Sequence, residues 1–403
     1  MKAILLAAAV TTTILLTSPV APADVGDLTY VGDAPMSIGR GLWIAGRTLS
    51  SRLIAPAPKG SGAAGAEVAT LSGPSQKICV ALHGDRARVD FTGEGRFADA
   101  PAVKRKGGIM SSFMNQTTFG PATVKTTVDG REVPVTVRIW DCRTYIPRGQ
   151  QQRAVMLEMA VMAVGRCRFG EKVHAVRVID TNHTLRLGDG ARPGKAAGKP
   201  SGAAAAQWAD RDLVEIDTHN EAFQQADIQV VCGQATQVGG KWYRLAVDAG
   251  GGKITATPVR IEVGEVLIPK GKWSALLLSD ENHLILHGGN APVAVPADTY
   301  TVMDYEEQVL GSGKTPHALT VARLGRKVVV KPGQTARLAI GSPLAGTVAV
   351  SQSKGTVRLD LKLTDVAGNS VGLSGPKGYP PQPNVTVLDA RGREAHTATL
   401  KYG

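Results

Sequence analysis

The stretch ATVKTTVDGREVPVTVRIW (Ala122–Trp140) shows most clearly what this chain folds into. Apolar and polar residues alternate on both sides of Asp129-Gly130, so each half would place its apolar side chains on one face of a strand. Asp-Gly suits the centre of a tight hairpin turn, because both central residues adopt positive φ there. The stretch therefore predicts two antiparallel strands joined by a short turn, and it favours an all-β fold.

The segment RAVMLEMAVMAVGRCRFGEKVHAVRVID (Arg153–Asp180) leaves two interpretations open. Its Met and Ala content suits a helix, whereas its valines and its central Phe-Gly-Glu-Lys turn favour a long hairpin. A faint internal repeat supports the hairpin, because FGEKVHAVRVID (Phe169–Asp180) aligns with VGGKWYRLAVD (Val238–Asp248). Each copy is typical of a turn that leads into a strand ending at an aspartate.

From Val259 onward, short apolar-polar runs alternate with regular turns, two of which share the form D-x-x-G (Asp365–Gly368 and Asp389–Gly392). This spacing predicts antiparallel β-sandwich modules of the Ig-like or prealbumin-like kind at the C-terminal end. The predicted fold class is all-β, mostly antiparallel and multi-module.

The N-terminus has the three parts of a secretory signal peptide: Lys2, an apolar core (Ala3–Leu16) and the small-residue exit Ala21-Pro22-Ala23. The apolar core is too short to span a membrane, which takes roughly 20 residues. We expect a secreted or periplasmic protein without a transmembrane segment. The predicted organisation is a signal peptide (1–23), an N-terminal extension and linker (24–67), a central β domain (68–258) with a disordered insertion (190–207), a β-sandwich-like module (259–343) and a C-terminal β module (344–403).

The formal net charge of +12 permits binding to polyanions. The basic residues are spread along the chain, and the densest run is Lys104-Arg105-Lys106. The charge is therefore typical of a solvated basic surface, with capture of anionic polysaccharide, nucleic acid or acidic cell wall as the alternative. The partner classes that we consider are anionic polysaccharide and cell-surface proteins. No motif indicates specific nucleic-acid binding.

Four cysteines occur, none of them in a C-x-x-C pair: Cys79, Cys142, Cys167 and Cys232. Zinc and thioredoxin-type sites lack their spacing. In an oxidising compartment two disulfides are the simplest expectation, and three pairings are open.

The stretch DFTGEGRFAD (Asp90–Asp99) has the outline of an EF-hand calcium loop. Such a loop needs oxygen ligands at places 1, 3 and 5, a glycine at place 6, a backbone carbonyl at place 7 and a late carboxylate. A turn whose Asp and Thr side chains cap local N–H groups is the alternative. The predicted ligands are Asp90, Thr92, Glu94, the carbonyl of Arg96 and Asp99.

Two further stretches share this outline less completely. DTNHTLRLGD (Asp180–Asp189) has Leu185 at the place of the turn glycine, and DTHNEAFQQAD (Asp217–Asp227) has Ala222 there. Each follows a strand-like run, which indicates a common origin for the three loops.

The chain resembles a group of uncharacterised secreted bacterial β-rich proteins with degenerate EF-hand-like loops of the form D-x-N-x-D-G-x-F-x-D. It also matches their G-G-K-x-Y hairpin at Gly239–Tyr243 and their Tyr-Gly ending at Tyr402-Gly403. The resemblance covers roughly Ile78 to the C-terminus, and Thr92, Leu185 and Ala222 depart from the loop pattern. It implies the fold and the compartment, and it brings no known enzymatic activity.

Other motifs are incomplete. GSGKT (Gly311–Thr315) lacks the first glycine of a phosphate-binding loop, and His283 and His287 form a pair without further metal ligands. Trp242, Tyr243 and Trp273 suit a β-sheet core better than a sugar-stacking platform.

The expected function is that of an exported non-enzymatic structural or interaction protein stabilised by weak calcium binding. The alternatives are a binding module for anionic cell-surface polysaccharide and a secreted hydrolase with an unrecognised site.

Overall fold

The computed structural model describes residues 24–31, 49–52, 54–72, 77–110, 114–146, 150–180, 184–188, 212–219, 223, 228–248, 250–268, 271–279, 282–310, 316–353, 356–374 and 382–399. These residues contain strands and no helix, so the predicted all-β, mostly antiparallel, multi-module class is confirmed. Nor does this part of the chain hold a helix with the length and apolar character that crossing a membrane requires.

The strands of the first half are β1 Asp24–Val31, β2 Leu49–Ser51, β3 Ile54–Pro56, β4 Glu67–Ser72, β5 Lys77–His83, β6 Arg86–Asp90, β7 Ala102–Met110, β8 Met114–Val128, β9 Arg131–Ile146, β10 Gln150–Ala160, β11 Met162–Phe169, β12 Lys172–Ile179, β13 Leu213–Asp217, β14 Ile228–Val231, β15 Ala235–Val238, β16 Lys241–Val247 and β17 Lys253–Pro258. Those of the second half are β18 Val263–Leu267, β19 Trp273–Leu278, β20 His283–Gly288, β21 Val293–Pro296, β22 Asp298–Leu310, β23 Pro316–Val330, β24 Thr335–Arg337, β25 Ala345–Ser353, β26 Thr356–Thr364, β27 Gly372–Ser374, β28 Asn384–Leu388 and β29 Glu394–Thr399.

The predicted hairpin at Ala122–Trp140 forms between β8 and β9. Asp129 (φ 49°) and Gly130 (φ 77°) make the tight turn, and Val128 pairs with Arg131. The apolar residues of β9 from Val133 to Ile139 alternate inward and are at most 2 % exposed. Alternation and turn chemistry therefore agree, as a specified hairpin requires.

The helix interpretation of Arg153–Asp180 is wrong, and the hairpin interpretation is confirmed for its second part, whereas residues 153–160 belong to β10, which pairs with β9 in the other sheet. β11 and β12 pair from Met162↔Ile179 to Phe169↔Lys172 around Gly170 (φ 64°). The two repeat copies adopt the same element, a strand (β12 or β16) that follows a two-residue turn. Phe169 and Tyr243 meet edge to face, with ring centroids 5.3 Å apart.

Two large sheets dominate the molecule. One has nine strands in the order β2-β10-β9-β8-β7-β6-β5-β4-β3, and the other has thirteen in the order β15-β16-β17-β1-β11-β12-β13-β14-β20-β19-β22-β23-β27. A single hydrophobic cluster takes residues from both sheets, from Leu28 to Ala256. A second cluster begins at Val266 and ends at Ile340, so the chain leaves the first apolar cluster and enters the second near residues 257–265. The thirteen-stranded sheet nevertheless continues across this change, because β14 pairs with β20 at Val230↔Leu284.

β1 lies inside the larger sheet, although it belongs to the predicted N-terminal extension and linker. Asp24–Asp27 pair with β17 and Leu28–Val31 pair with β11. Near the point where the pairing partner of β1 changes from β17 to β11, a Cβ on Gly26 would collide with the carbonyl of Arg166. A Cβ on Gly165 would likewise collide with the carbonyl of Asp27. Only glycine permits this backbone contact. Part of the predicted linker also packs against the protein, since Ala63 and Ala66 are buried beside Phe97.

The prediction of two disulfides is wrong for this structure. All four cysteines are buried thiols, and they lie on β5, β9, β11 and directly after β14. Cys167 is in the main hydrophobic cluster, where the thiol acts as a small apolar group. Burial, reinforced by Asp24, raises the pKa of Cys167 to about 11. The count of cysteines and the expected compartment suggested pairing, but their separate positions in the sheets keep them as thiols.

The C-terminal end forms two separate hairpins, β25–β26 and β28–β29. The register places Val348 opposite Leu361 and Val350 opposite Leu359, so one face of β25–β26 is apolar, and Val350 is 66 % exposed. The base of this hairpin is held by buried Asp365, whose Oδ2 accepts a hydrogen bond from the Gly341 N–H at 3.1 Å.

The predicted signal peptide and the predicted insertion at 190–207 lie outside the described residues.

Candidate functional site

The loop Asp90–Asp99, called the first loop, begins where β6 ends and is organised by one buried carboxylate. Asp90 is 5 % exposed. Its Oδ1 accepts hydrogen bonds from the Thr92 N–H (2.9 Å) and the Thr92 hydroxyl (2.6 Å), and its Oδ2 accepts from the N–H groups of Gly95 (2.7 Å) and Arg96 (3.2 Å). Both oxygens are thus engaged by the loop that follows the strand, as in an Asx turn.

The rest of the first loop fixes this arrangement. Gly93 (φ 71°) and Gly95 (φ 76°) take the left-handed backbone that lets the N–H groups turn towards Asp90. Phe97 is fully buried, and its N–H donates to the Ser61 carbonyl at 2.6 Å. The Arg88 guanidinium donates to the Phe97 carbonyl at 2.6 Å. The loop is therefore anchored at its aspartate and at its phenylalanine.

The five predicted calcium ligands do not converge. Asp90 and Thr92 are in contact, but Glu94 turns outward and pairs with the Arg96 guanidinium at 3.3 Å, with its side chain 56 % exposed. Asp99 is exposed at the end of the loop. In the described part of the chain, no three His, Cys, Asp or Glu side chains are grouped so that they could hold a metal ion. A cation here would compete with four hydrogen bonds for Asp90 and with Arg96 for Glu94.

The electrostatics of Asp90 follow from the same contacts. Burial pushes the pKa of Asp90 up, and the hydrogen bonds from the Thr92 hydroxyl and from the N–H groups of Thr92, Gly95 and Arg96 together push it further down. The net result is a pKa below the ordinary value of 3.8. The carboxylate is therefore an ionised acceptor at neutral pH, and it does not have the raised pKa of a general acid.

The second loop, which starts at Asp180, repeats this geometry with different residues. Asp180 is 3 % exposed, and its Oδ2 accepts from the Leu185 N–H at 2.7 Å. Leu185 has φ 63°, so it takes the left-handed conformation of Gly95 at the same place in the loop. Leu187 is fully buried, as Phe97 is at the matching place. Burying a leucine is worth about 1.5–3 kcal/mol, which offsets the roughly 1–2 kcal/mol that the left-handed backbone costs.

The third loop starts at Asp217, which is fully buried. Its Oδ1 accepts from the His219 N–H and its Oδ2 from the Phe223 N–H, both at 3.1 Å. Phe223 has φ 58°, one place later than in the other loops, and its ring lies 4.6 Å from the Arg177 guanidinium carbon. Asn182, Asp189, Glu221, Ala222 and Asp227, which the sequence pattern singled out, lie outside the described residues.

Sequence reasoning missed that the same device closes other turns. Asp248 accepts from the N–H groups of Gly252 (2.7 Å) and Lys253 (2.9 Å). Asp365 accepts from Ala367 and Asn369, and Asp389 from Arg391 and Arg393. The signal was present in the sequence, since each aspartate follows a strand-like run and precedes a glycine in its turn.

Two of the remaining candidates are core residues. Tyr243 (2 % exposed) and Trp273 (4 %) lie in the two hydrophobic clusters, which confirms that they belong to the core, and Trp242 is half-buried. His283 and His287 lie on β20, where they pair with Leu278 and Ser274. The GSGKT stretch lies outside the described residues.

Searches of protein-family models, of curated proteins and of solved structures found no match to this chain. The candidate site is therefore defined by its own geometry, a set of aspartates at strand ends whose carboxylates close the turns that follow.

Proposed function

We propose that this chain is an exported non-enzymatic structural or interaction protein in which strand-ending aspartates hold the connecting loops in place. The observation that carries the proposal is the set of contacts of Asp90, whose buried carboxylate accepts four hydrogen bonds from its own loop. Such bonds to a charged acceptor are stronger than bonds between neutral groups. A carboxylate used in this way stabilises the fold and is not available for chemistry.

The recurrence of the device supports a structural role. Six aspartates accept backbone N–H groups of the turn that follows them: Asp90, Asp180, Asp217, Asp248, Asp365 and Asp389. They are spread from the nine-stranded sheet to the last hairpin. A catalytic arrangement would instead gather side chains at one place. The predicted signal peptide and the resemblance to secreted β-rich proteins support the exported location, and the β-sandwich form of the C-terminal modules is part of the same proposal.

Calcium binding at the first loop is a second, separable part of the proposal. Asp90, Glu94 and the Arg96 carbonyl would hold the ion once Glu94 turned inward from Arg96. Because the cation competes with existing contacts, we expect affinity in the range of about 10⁻⁴–10⁻³ M, as in weak extracellular sites.

Thermal unfolding in chelator and in calcium tests both parts. If loop closure needs no ion, the protein melts cooperatively in chelator. For a dissociation constant of about 1 mM, calcium at about 10 mM adds roughly 1.4 kcal/mol to the free energy of unfolding. An unchanged melting temperature and no metal retained after dialysis would remove the calcium part, whereas unfolding in chelator would contradict self-closing loops.

A further inference from the structure

Three neighbouring strands of the nine-stranded sheet bring basic side chains into one line at the exposed end of the β5–β6 hairpin. His83 on β5 pairs with Arg86 on β6, and Arg86 pairs with Lys104 on β7. All three are exposed, and their alternate neighbours Leu82, Ala87 and Val103 point into the core. We call His83, Arg86 and Lys104 the cationic row. Neighbouring strands lie about 4.8 Å apart, so the row places a basic group at about that spacing across the sheet.

The surroundings of the row are strongly basic. Residues 77–90 and 102–110 contain six Lys and Arg against two Asp, so they carry a net charge of +4 of the chain's +12. Asp90 is buried and engaged in the first loop. Of the described acidic residues, only Asp85 forms an ion pair with the row, to Arg86 at 3.8 Å, and its side chain is 81 % exposed. Arg105 and Lys106 extend the positive charge along β7 and are exposed as well.

This arrangement is unfavourable for the isolated protein. Like charges directly opposite on paired strands destabilise a sheet, and the register places Arg86 directly opposite Lys104. An anionic ligand along the row would remove this repulsion. The ligand would also contact the planar guanidinium of Arg86, whose geometry suits carboxylate and sulfate groups, and the ammonium of Lys104, which acts as a point charge.

We propose that the cationic row binds a linear anionic polysaccharide that carries carboxylate or sulfate groups and lies across β5, β6 and β7. The proposal rests on the interaction role stated above and names its partner class. A repeating polyanion matches this arrangement better than a single small anion does, because Arg86 and Lys104 present charges on successive strands and Arg105 and Lys106 continue them along β7.

The described surface favours polysaccharide over single-stranded nucleic acid. Proteins that bind single strands combine a basic groove with aromatic side chains on which bases stack. None of the exposed large apolar side chains in the described part of the chain is aromatic, and Phe91, Phe97 and Phe119 beside these strands are buried. The row therefore offers charge without a stacking platform.

The test compares two variants that lose the same charge. Arg86→Gln with Lys104→Gln removes two cations of the row, and Lys327→Gln with Lys331→Gln removes two exposed cations from and directly after β23. Binding of the full chain to dextran sulfate, to polygalacturonate and to neutral dextran is measured at several salt concentrations, with chelator present so that calcium plays no part. Duplex and single-stranded DNA serve as competing polyanions.

We expect binding to at least one charged polysaccharide and none to neutral dextran. The row variant should bind at least about tenfold more weakly, with the slope of log K against log salt reduced by roughly two, about one for each cation removed. The control variant should change affinity less than about twofold. Because the row variant relieves repulsion, its melting temperature should stay unchanged or rise slightly, which separates lost binding from lost fold.

Equal weakening by both variants would overturn the proposal, since it would indicate a diffuse basic surface. Absence of binding to either charged polysaccharide at low salt, or tighter binding to DNA than to the polysaccharides, would overturn it as well. Each result is independent of the melts that test loop closure, so the two proposals fail separately.

Discussion

Replacing Asp90 by alanine should lower the stability of the protein more than replacing either of the other two carboxylates of the first loop, Glu94 and Asp99. The carboxylate is 5 % exposed and accepts three backbone N–H groups and one hydroxyl. A hydrogen bond to a charged group contributes about 1.5–3 kcal/mol. Because Glu94 and Arg96 are well exposed, water replaces part of what is lost. We therefore expect a decrease of about 2–4 kcal/mol in the free energy of unfolding, within the range of disrupted buried networks.

Glu94→Ala and Asp99→Ala are matched controls in the same loop. Each removes one carboxylate, but Glu94 forms only an exposed ion pair and Asp99 is exposed at the loop's end. Both should stay within about 0.5 kcal/mol of the parent. Denaturant unfolding followed by tryptophan fluorescence gives the free energies. Hydrogen exchange at the Gly95 and Arg96 amides supplies a local readout, because a multi-module chain need not unfold in one step.

The effect of Asp90→Ala should also depend on pH. The hydrogen bonds lower the pKa of Asp90 in the folded protein despite its burial. The stability from the carboxylate is thus fully present above the unfolded pKa of about 3.9 and is lost as the pH falls through the folded value. The difference between parent and variant should be constant above about pH 5 and should shrink below about pH 4.

A cost below about 0.5 kcal/mol for Asp90→Ala, with unchanged exchange at Gly95 and Arg96, would refute the reasoning that this carboxylate closes the loop. A cost for Glu94→Ala or Asp99→Ala as large as that for Asp90→Ala would refute it too, because the three carboxylates would then act as one set.

Three further predictions use other parts of the structure. Gly95→Ala should cost about 1 kcal/mol in denaturant unfolding, because φ is 76° and the added Cβ meets no atom within 4 Å; an unchanged midpoint would contradict the left-handed assignment. Gly26→Ala should cost about 3 kcal/mol or more, since its Cβ collides with the Arg166 carbonyl, while Gly271→Ala, with open space around it, should melt close to the parent. All four thiols should resist a thiol reagent in the native protein, because they are buried. Burial and a nearby aspartate also raise the pKa of Cys142 and the pKa of Cys167. All four should react after denaturation without reductant, and fewer than four reactive thiols in denaturant would indicate a disulfide.

Local signals predicted the elements whose partners are close in sequence. The β8–β9 hairpin followed from alternation and from Asp129-Gly130, and the β11–β12 hairpin followed from its valines and its Gly170 turn. In both, the residues that determine register lie within the element itself. β1 gave no comparable signal, because its place depends on strands far along the chain and on the backbone contact at Gly26.

The three loops were predicted as related, and the structure shows why their chemistry could not be read from spacing. A loop with an aspartate at place 1 and a turn glycine at place 6 is equally compatible with two uses of that aspartate. Its carboxylate can bind an ion, or it can accept hydrogen bonds from N–H groups of the loop. The orientation of Glu94 decides between the two arrangements, and it depends on its neighbour Arg96 rather than on the pattern. Leu185 shows the same limit, since its left-handed backbone is sustained by burial that the sequence does not display.

The cationic row was invisible for a similar reason. Along the chain, His83, Arg86 and Lys104 are separate basic residues, and only Lys104 belongs to the densest run. Strand pairing places them in line. The net charge follows from the composition, whereas the arrangement of that charge depends on the register of three strands.

The position of β1 bears on how the chain reaches its fold. β1 precedes the other described strands, but its two neighbours are β11 and β17, so one of its edges stays unpaired until about residue 258 has been made. Contacts between residues far apart in sequence form slowly. The larger sheet therefore cannot close while most of the central region is still missing, and the segment next to the predicted signal peptide is among the last to be locked. Under the export proposed above, a sheet that closes this late would leave most of the chain unfolded during its synthesis.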